Sequence, residues 1–398
     1  MDLEFMEVRM PEPLTRHGLA AFHEVAATQV ADDKVPGLVA LVARGEQVHV
    51  EALGALSIGG PPVRRDSLFR IASTTKPITG AATLALVREG LLGLDEPVDR
   101  LLPELAQPRV LRRMDGALDE SVPAERPITV RDLLTFTFGF GMLLDMFLAP
   151  EPWPVVAAAN ELRLATLGPP NPAVQPDPDT WIAALGSLPL LAQPGQRWLY
   201  NTGASVLGVL LARAAGVPLA EVLRTRIFEP LGMRDTAFWA ADTARLATAY
   251  AATPDGLQVW DPPQGQWSRP PAFGDAAAGL VSTADDLLAF ARMLLRGGDP
   301  VLSAEAVAEM TRDQLTPEQK GRDGRGFLDG RSWAFCQSVV IDGPWAGAFG
   351  WDGGLGTSWL VDPKRHLAVI VLTQRLFESA QAPQVHRDLQ AAALAALG

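Results

Sequence analysis

The chain has 398 residues, more than one hydrophobic core ordinarily holds, so two structural units sharing an interface are expected. Hydrophobic residues at 48% and charged residues at 20%, with 36 Gly and 33 Pro, exclude a disordered chain and fit a globular one with Pro-rich connections. A formal net charge of -12 disfavours the phosphate attraction behind non-specific nucleic-acid binding, so no nucleic-acid partner is expected.

Residues 1–10 are interrupted by Asp2, Glu4 and Glu7 and have neither the basic start nor the apolar run of an export signal. Cys336 is the single cysteine, so the chain can form no internal disulfide and no Cys-rich zinc site; a cytoplasmic location is the expectation. Residues 37–43 (GLVALVA) and 48–52, joined by a polar turn containing Gly45, have the form of a β-hairpin. Residues 77–89 place Ile78, Ala82, Ala85 and Leu86 at helical spacing, and Gly90 follows as a stop, which puts Ser73 at a helix start.

From about residue 90 to 260 the periodicity is mostly helical, including 129–136 and 204–215. Within it, residues 143–194 are rich in proline and carry Trp153 and Trp181, the pattern of a long ordered excursion of the kind that often walls a pocket. The apolar stretch 204–223 is interrupted by Arg213 and Pro218, so it reads as a buried helix and no membrane association is expected. After Thr283 comes an amphipathic helix to Arg296, then strand-like runs at 332–341, 358–361 and 367–373, and a last helix at 385–397 that would pack on the sheet beside the N-terminal helix. The implied organisation is a discontinuous α/β domain, 1–76 with 270–398, and a mainly helical domain, 77–269, with the active site in the cleft between them.

The strongest local signal is Ser73-Thr74-Thr75-Lys76, since three residues along a helix bring a hydroxyl and an amine to one face. Two fixed positions in four recur by chance, and read alone they describe a helix-cap serine beside a solvated lysine. The context is more specific. Asp66-Ser67-Leu68-Phe69-Arg70-Ile71-Ala72 precedes the motif, Leu91-Leu92-Gly93-Leu94-Asp95-Glu96-Pro97-Val98 follows it, and further on stand Ile128-Thr129-Val130-Arg131-Asp132-Leu133-Leu134-Thr135, Ile227-Phe228-Glu229-Pro230-Leu231-Gly232-Met233 and Gly279-Leu280-Val281-Ser282-Thr283. From about residue 37 to 373 this resembles the serine hydrolases built like class C β-lactamases and penicillin-binding proteins, which include family VIII carboxylesterases and D-amino-acid peptidases. The resemblance implies an α+β fold of β-lactamase/transpeptidase type: an antiparallel sheet flanked by N- and C-terminal helices, plus an inserted helical lobe.

In that family a tyrosine, any residue, then usually asparagine opens a helix across the cleft from the serine; here the match is Tyr200-Asn201-Thr202, with Thr202 in the asparagine place unless Asn201 serves. A third motif carries lysine, threonine and glycine on a strand; by resemblance Trp351-Asp352-Gly353 holds that place, and the backbone N–H of Gly354 would complete an oxyanion hole with that of Ser73. The resemblance thus implies Ser73, Lys76 and Tyr200 as catalytic residues and Trp351, Asp352, Gly353, Asn201 and Thr202 as substrate-binding ones, with no metal and no cofactor. The implied chemistry is two-step acyl transfer through a Ser73 acyl-enzyme. Lysine and tyrosine both titrate near ~10 when unperturbed, so the environment must lower one of them, and the sequence leaves open which is the base.

No Gly-x-Ser-x-Gly elbow is present, and His17, His23, His49, His366 and His386 lie toward the chain ends, which disfavours a Ser-His-Asp triad. Trp351 in place of a carboxylate-binding lysine, and Thr202 in place of an amide-holding asparagine, both point to carboxylester hydrolysis of a small-molecule ester. Phe138, Phe140, Trp153 and Trp351 are candidate pocket walls. The alternatives are a β-lactamase, a D-amino-acid peptidase or amidase, an acyltransferase on the same site, and a non-catalytic binding protein. The oligomeric state is not encoded in any pattern found.

Overall fold

The computed structural model describes residues 12–32, 34–321, 324 and 326–397; the N-terminal segment 1–10 read above lies outside them. Its centre is a seven-stranded antiparallel sheet in the order Gln47–Gly54, Gly37–Arg44, Leu367–Thr373, Thr357–Asp362, Phe349–Gly353, Ser338–Val340 and Arg331–Trp333. Both chain ends contribute, because the hairpin near the start pairs through Gly37–Arg44 with Leu367–Thr373.

Side chains alternate across a strand, and here the two faces bury different partners. Leu38, Ala40, Val42, Val369 and Val371 pack against the terminal helices Arg16–Ala31 and Gln384–Ala395. Val39, Leu41, Ile370 and Leu372 face the opposite way, into a large core that extends through the serine helix Thr75–Arg88 and the tyrosine helix Thr202–Ala215. The two terminal helices meet closely, since a methyl group at Gly18 would stand 2.2 Å from Ala396 Cα. The fold is therefore the expected α+β arrangement with terminal helices on the sheet. The boundaries expected at 76/77 and 269/270 fall within one continuous hydrophobic cluster.

Several local expectations are refined. The run 332–341 is two strands, Arg331–Trp333 and Ser338–Val340, because Cys336 at φ 56° turns the chain between them. The mainly helical segment also holds two small hairpins, Arg109–Leu111 with Ser121–Pro123 and Ala249–Thr253 with Gly256–Asp261. The Pro-rich excursion contains three short helices, Leu144–Leu148, Pro154–Glu161 and Pro178–Gly186. It is pinned by Trp181, whose ring stacks 4.9 Å from that of Phe273 and whose indole N–H donates to the Leu164 carbonyl at 2.9 Å. The stretch 204–223 breaks at Gly216 and Pro218 into two helices bent by 81°; among the described residues no single helix is long and apolar enough to cross a membrane.

Two contacts fix the turn that carries Ser73. Arg70, on the strand leading into it, is buried and donates from Nε to Asp261 Oδ2 at 2.9 Å and from Nη2 to the Pro262 carbonyl at 2.8 Å, so its charge is both paired and hydrogen-bonded. Gly353 lies against the same turn from the sheet, and a methyl group there would stand 2.2 Å from the Ile71 carbonyl oxygen and 2.2 Å from Thr357 Oγ1. Replacing Gly353 with Ala is expected to destabilise the fold by about 1–3 kcal/mol, the usual scale of overpacking, with the loss read as a lower midpoint in denaturant unfolding. An unchanged midpoint would show that the sheet and the turn are not held in this contact.

Candidate active site

Ser73 sits in a single 3-10 turn, Ala72–Thr74, that runs straight into the helix Thr75–Arg88. Ala72 holds φ 44°, a left-handed conformation that costs a non-glycine residue roughly 1–3 kcal/mol and persists only where its surroundings impose it. The imposing contacts are Thr357 Oγ1 donating to the Ile71 carbonyl at 2.9 Å and lying 3.1 Å from Thr74 Oγ1. As a result Ser73 is partly open to solvent while both its neighbours are buried.

One helical turn on, the Lys76 amine is buried, donating to Ser73 Oγ at 2.7 Å and to the Ala277 carbonyl at 2.9 Å. Burial disfavours the ammonium and pulls its pKa down from 10.5 to about 7, against the opposing pull of the Asp275 carboxylate. Tyr200 reaches Ser73 from the other side, donating its O–H to Ser73 Oγ at 2.9 Å. Burial pushes the phenol well above its ordinary value, only partly offset by its hydrogen bonds to Ser73 and Trp351. The amine lies 4.8 Å from the centre of the tyrosine ring. Tyr200 owes its position to backbone pairing with Met142, N to O at 3.0 Å and O to N at 2.8 Å, and to Gly141, where any side chain would strike the Tyr200 and Leu199 carbonyls.

The structure brings Ser73, Lys76 and Tyr200 together and places the other expected residues variously. Trp351 faces the cleft, and its indole N–H donates to the Tyr200 oxygen at 2.6 Å, so the ring is committed to the phenol. Gly353 shares that face, whereas Asp352 is a correction to the substrate-binding set. It stands opposite Ser358, whose Oγ takes a hydrogen bond from Gln390 of the C-terminal helix, and its carboxylate lies 3.6 Å from Arg331. Strand alternation sends its side chain to the far side of the sheet. Gly354 is exposed, and a methyl group built there meets nothing within 4 Å, so its peptide borders open space beside the Ser73 turn.

Asn201 and Thr202 are also corrected. Asn201 adopts φ 83°, which turns its side chain back so that Nδ2 donates to the Thr166 carbonyl at 2.8 Å. Thr202 Oγ1 accepts from Thr166 Oγ1 at 3.1 Å and is fully buried. Both act behind Tyr200 to hold the start of its helix. Phe138 and Phe140 belong to the core with no exposure, and Trp153 packs partly buried against the same core, so none of the three is placed as a pocket wall.

Two residues at the site escaped the sequence reading. Phe327 is partly exposed and lies over Tyr200 with ring centres 4.9 Å apart. Asp275 is buried, with Oδ1 accepting from Ser205 Oγ at 2.8 Å and from the Ala277 N–H at 2.9 Å. Among the described residues, no group of three or more His, Cys, Asp or Glu side chains is arranged to hold a metal ion.

A serine oxygen held between a lysine amine and a tyrosine hydroxyl in this fold points to a class, and the sequence comparisons agree. The Beta-lactamase family model matches residues 22–394, and the chain belongs to that family of serine hydrolases. Esterase EstB of Burkholderia gladioli is 33% identical over 377 residues, covering 88% of each chain. Protein Rv1367c of Mycobacterium tuberculosis (strain ATCC 25618 / H37Rv) is 39% identical over 360 residues, covering 85% of each. Among solved structures, EstCE1, a hydrolase with promiscuous acyltransferase activity, superposes with a TM-score of 0.80 at 25% identity, covering 95% of this chain and 98% of its own.

The indole N–H is a buried donor to the phenol, so replacing Trp351 with Phe leaves an acceptor unpaired while keeping an aromatic wall. Such a loss costs about 1–3 kcal/mol. The unfolding midpoint is expected to drop by that modest amount, while the rate at which a fluorophosphonate probe labels Ser73 in the folded variant, followed by intact mass, falls roughly tenfold or more. Unaltered labelling would mean that the indole does not orient the phenol.

Proposed function

We propose that the protein is a serine carboxylesterase in which Ser73 is acylated, Lys76 is the general base and Tyr200 is the proton donor. The observation that carries the assignment is the shared contact on Ser73 Oγ, with Lys76 Nζ at 2.7 Å and the Tyr200 oxygen at 2.9 Å. An amine with its pKa near 7 is neutral in a large fraction of molecules at neutral pH and can accept the serine proton as Oγ attacks an ester carbonyl. The phenol, held protonated by burial, then donates to the leaving alkoxide oxygen, and the Lys76 ammonium returns to Tyr200 the proton it took from Ser73, so that no net proton is lost as the alcohol departs. The backbone N–H groups of Ser73 and Gly354 are assigned to the carbonyl oxygen, where developing negative charge needs donors. Water attacks the acyl-enzyme in the second step, returning Ser73.

Esters are preferred over amides and β-lactams in this reading because Trp351 stands where the family's carboxylate-binding lysine would be, and its N–H is already engaged. Kinship with an esterase at 33% identity supports the same choice. Phe327, Tyr200 and Trp351 present aromatic surface to an apolar acyl or alcohol group. Acyl transfer to an alcohol is a second outcome of the same intermediate, favoured by the promiscuous acyltransferase activity of EstCE1. A cytoplasmic site of action is part of the proposal.

The kcat/KM for p-nitrophenyl butyrate is expected to exceed that for nitrocefin and for D-alanyl-D-alanine peptides by orders of magnitude, with Ser73→Ala inactive and Lys76→Met reduced by about 100-fold or more. Faster nitrocefin or peptide turnover would overturn the ester assignment. Replacing Phe327 with Ala should raise KM for aryl and longer acyl esters by about two- to tenfold with kcat nearly unchanged, the scale of one lost aromatic contact. Equal KM values for wild type and variant would remove Phe327 from the pocket.

A further inference from the structure

Asp275 is a buried acid that the mechanism above does not use. It lies in Gly274-Asp275-Ala276-Ala277-Ala278-Gly279, a run of small residues wedged between the serine and tyrosine helices. Small size is required there, since Gly208 on the tyrosine helix already brings any added methyl group within 2.9 Å of Ala276 Cβ. The wedge grips both helices. The Ala276 carbonyl accepts from Thr79 Oγ1 at 2.7 Å and the Ala277 carbonyl accepts from Lys76 Nζ at 2.9 Å, three residues apart on one helix face. The Asp275 carboxylate closes the arrangement, with Ser205 of the tyrosine helix donating to it at 2.8 Å and the Ala277 N–H at 2.9 Å.

We propose that Asp275 is a positioning residue for Lys76: its carboxylate fixes the Ala277 carbonyl against the amine, ties that contact to the helix bearing Tyr200, and supplies the negative charge that keeps the buried amine basic enough to take the serine proton. The proposal rests on the reading of Lys76 as the base. Its physical logic is a balance. Burial by itself lowers the basicity of an amine, and too weak a base gains nothing from being neutral, because proton-transfer efficiency falls with the base's pKa. The groups facing Lys76 are Ser73 on its own turn, the Tyr200 ring, Cys336 from the turn between the last two strands of the sheet, and Asp275. Tyr200 and Cys336 are both pushed toward their neutral forms by burial. Burial raises Asp275 while the Ala277 N–H, the Ser205 hydroxyl and Lys76 oppose that rise, and the Asp275 charge in turn works against the fall in basicity of the amine.

The sign of the effect follows. A neutral amine is the active form, so ester turnover rises with pH through the Lys76 pKa, and a carboxylate nearby holds that midpoint up. Asp275→Asn removes the charge and keeps one oxygen for the Ser205 and Ala277 donors. The acid limb of kcat/KM for p-nitrophenyl butyrate is therefore expected to move about one pH unit lower, with the plateau reduced about three- to tenfold. The pH dependence of fluorophosphonate labelling at Ser73 should move in parallel. A midpoint that stays in place or rises in the folded variant overturns the role of Asp275. If the variant does not fold, Ser205→Ala serves instead: it removes one donor that holds the carboxylate ionised, so a smaller shift in the same direction is expected, and no shift overturns the proposal. Lys76→Met separates the two readings, since retained turnover with the wild-type acid limb would remove Lys76 as the base, whereas its loss leaves the Asp275 variants as the deciding test.

Discussion

A lysine amine taken entirely out of water is the constraint on which the rest of the site depends. Lowering its pKa from 10.5 to about 7 corresponds to roughly 5 kcal/mol of lost preference for the charged form, comparable to much of a domain's net stability. That preference can be lost safely only if every direction around the amine is filled with a matched group: the serine oxygen, the Ala277 carbonyl and the tyrosine ring. The surrounding sequence is shaped by this demand. Ala72 and Asn201, both at positive φ, bracket the nucleophile and the phenol and aim them inward. The glycines at 141 and 353 let backbone approach where a side chain would push one of the three groups out of line.

Local features of this arrangement were legible in the sequence. The hairpin, the helix after Ser73 and the final helix were each found within a few residues, because periodicity and Gly or Pro punctuation act over short range. Ser73 and Lys76 were legible for the same reason, being one helical turn apart. Tyr200 needed the family resemblance, since it is far along the chain and only tertiary packing brings it to Ser73. Asp352 could have been read correctly from alternation alone: if Trp351 and Gly353 face the cleft, the residue between them must face away.

Other features were hidden for a physical reason. Asn201 turned from the cleft because its φ is positive, a property no composition reveals in a non-glycine residue. Asp275 sits in a tract of alanines and glycines with no chemical signature, and its meaning appears only when Ser205 and Ala277 converge on it. Phe327 reaches Tyr200 from a glycine-rich stretch that carries neither helical nor strand periodicity. Phe138 and Phe140 erred in the opposite sense, since an aromatic near a motif is more often core than pocket.

On the proposed mechanism, one environment produces both an acid and a base. Desolvation disfavours charge of either sign, so it lowers the pKa of an amine and raises that of a phenol. Two groups that both titrate near ~10 in water are thereby driven apart, the amine to about 7 and the phenol well above its ordinary range. At neutral pH the pair then holds a neutral amine able to accept a proton and a neutral phenol able to give one, on either side of the same oxygen. A histidine would do neither better, because its pKa near ~6.5 needs no burial and would fall further with it. Trp351 fits this division of labour, since an indole N–H can only donate, and its bond to the tyrosine oxygen leaves the phenol proton free to point at Ser73. Placing a lysine there instead would add a cation beside the phenol, favour the phenolate, and turn the donor toward a second base.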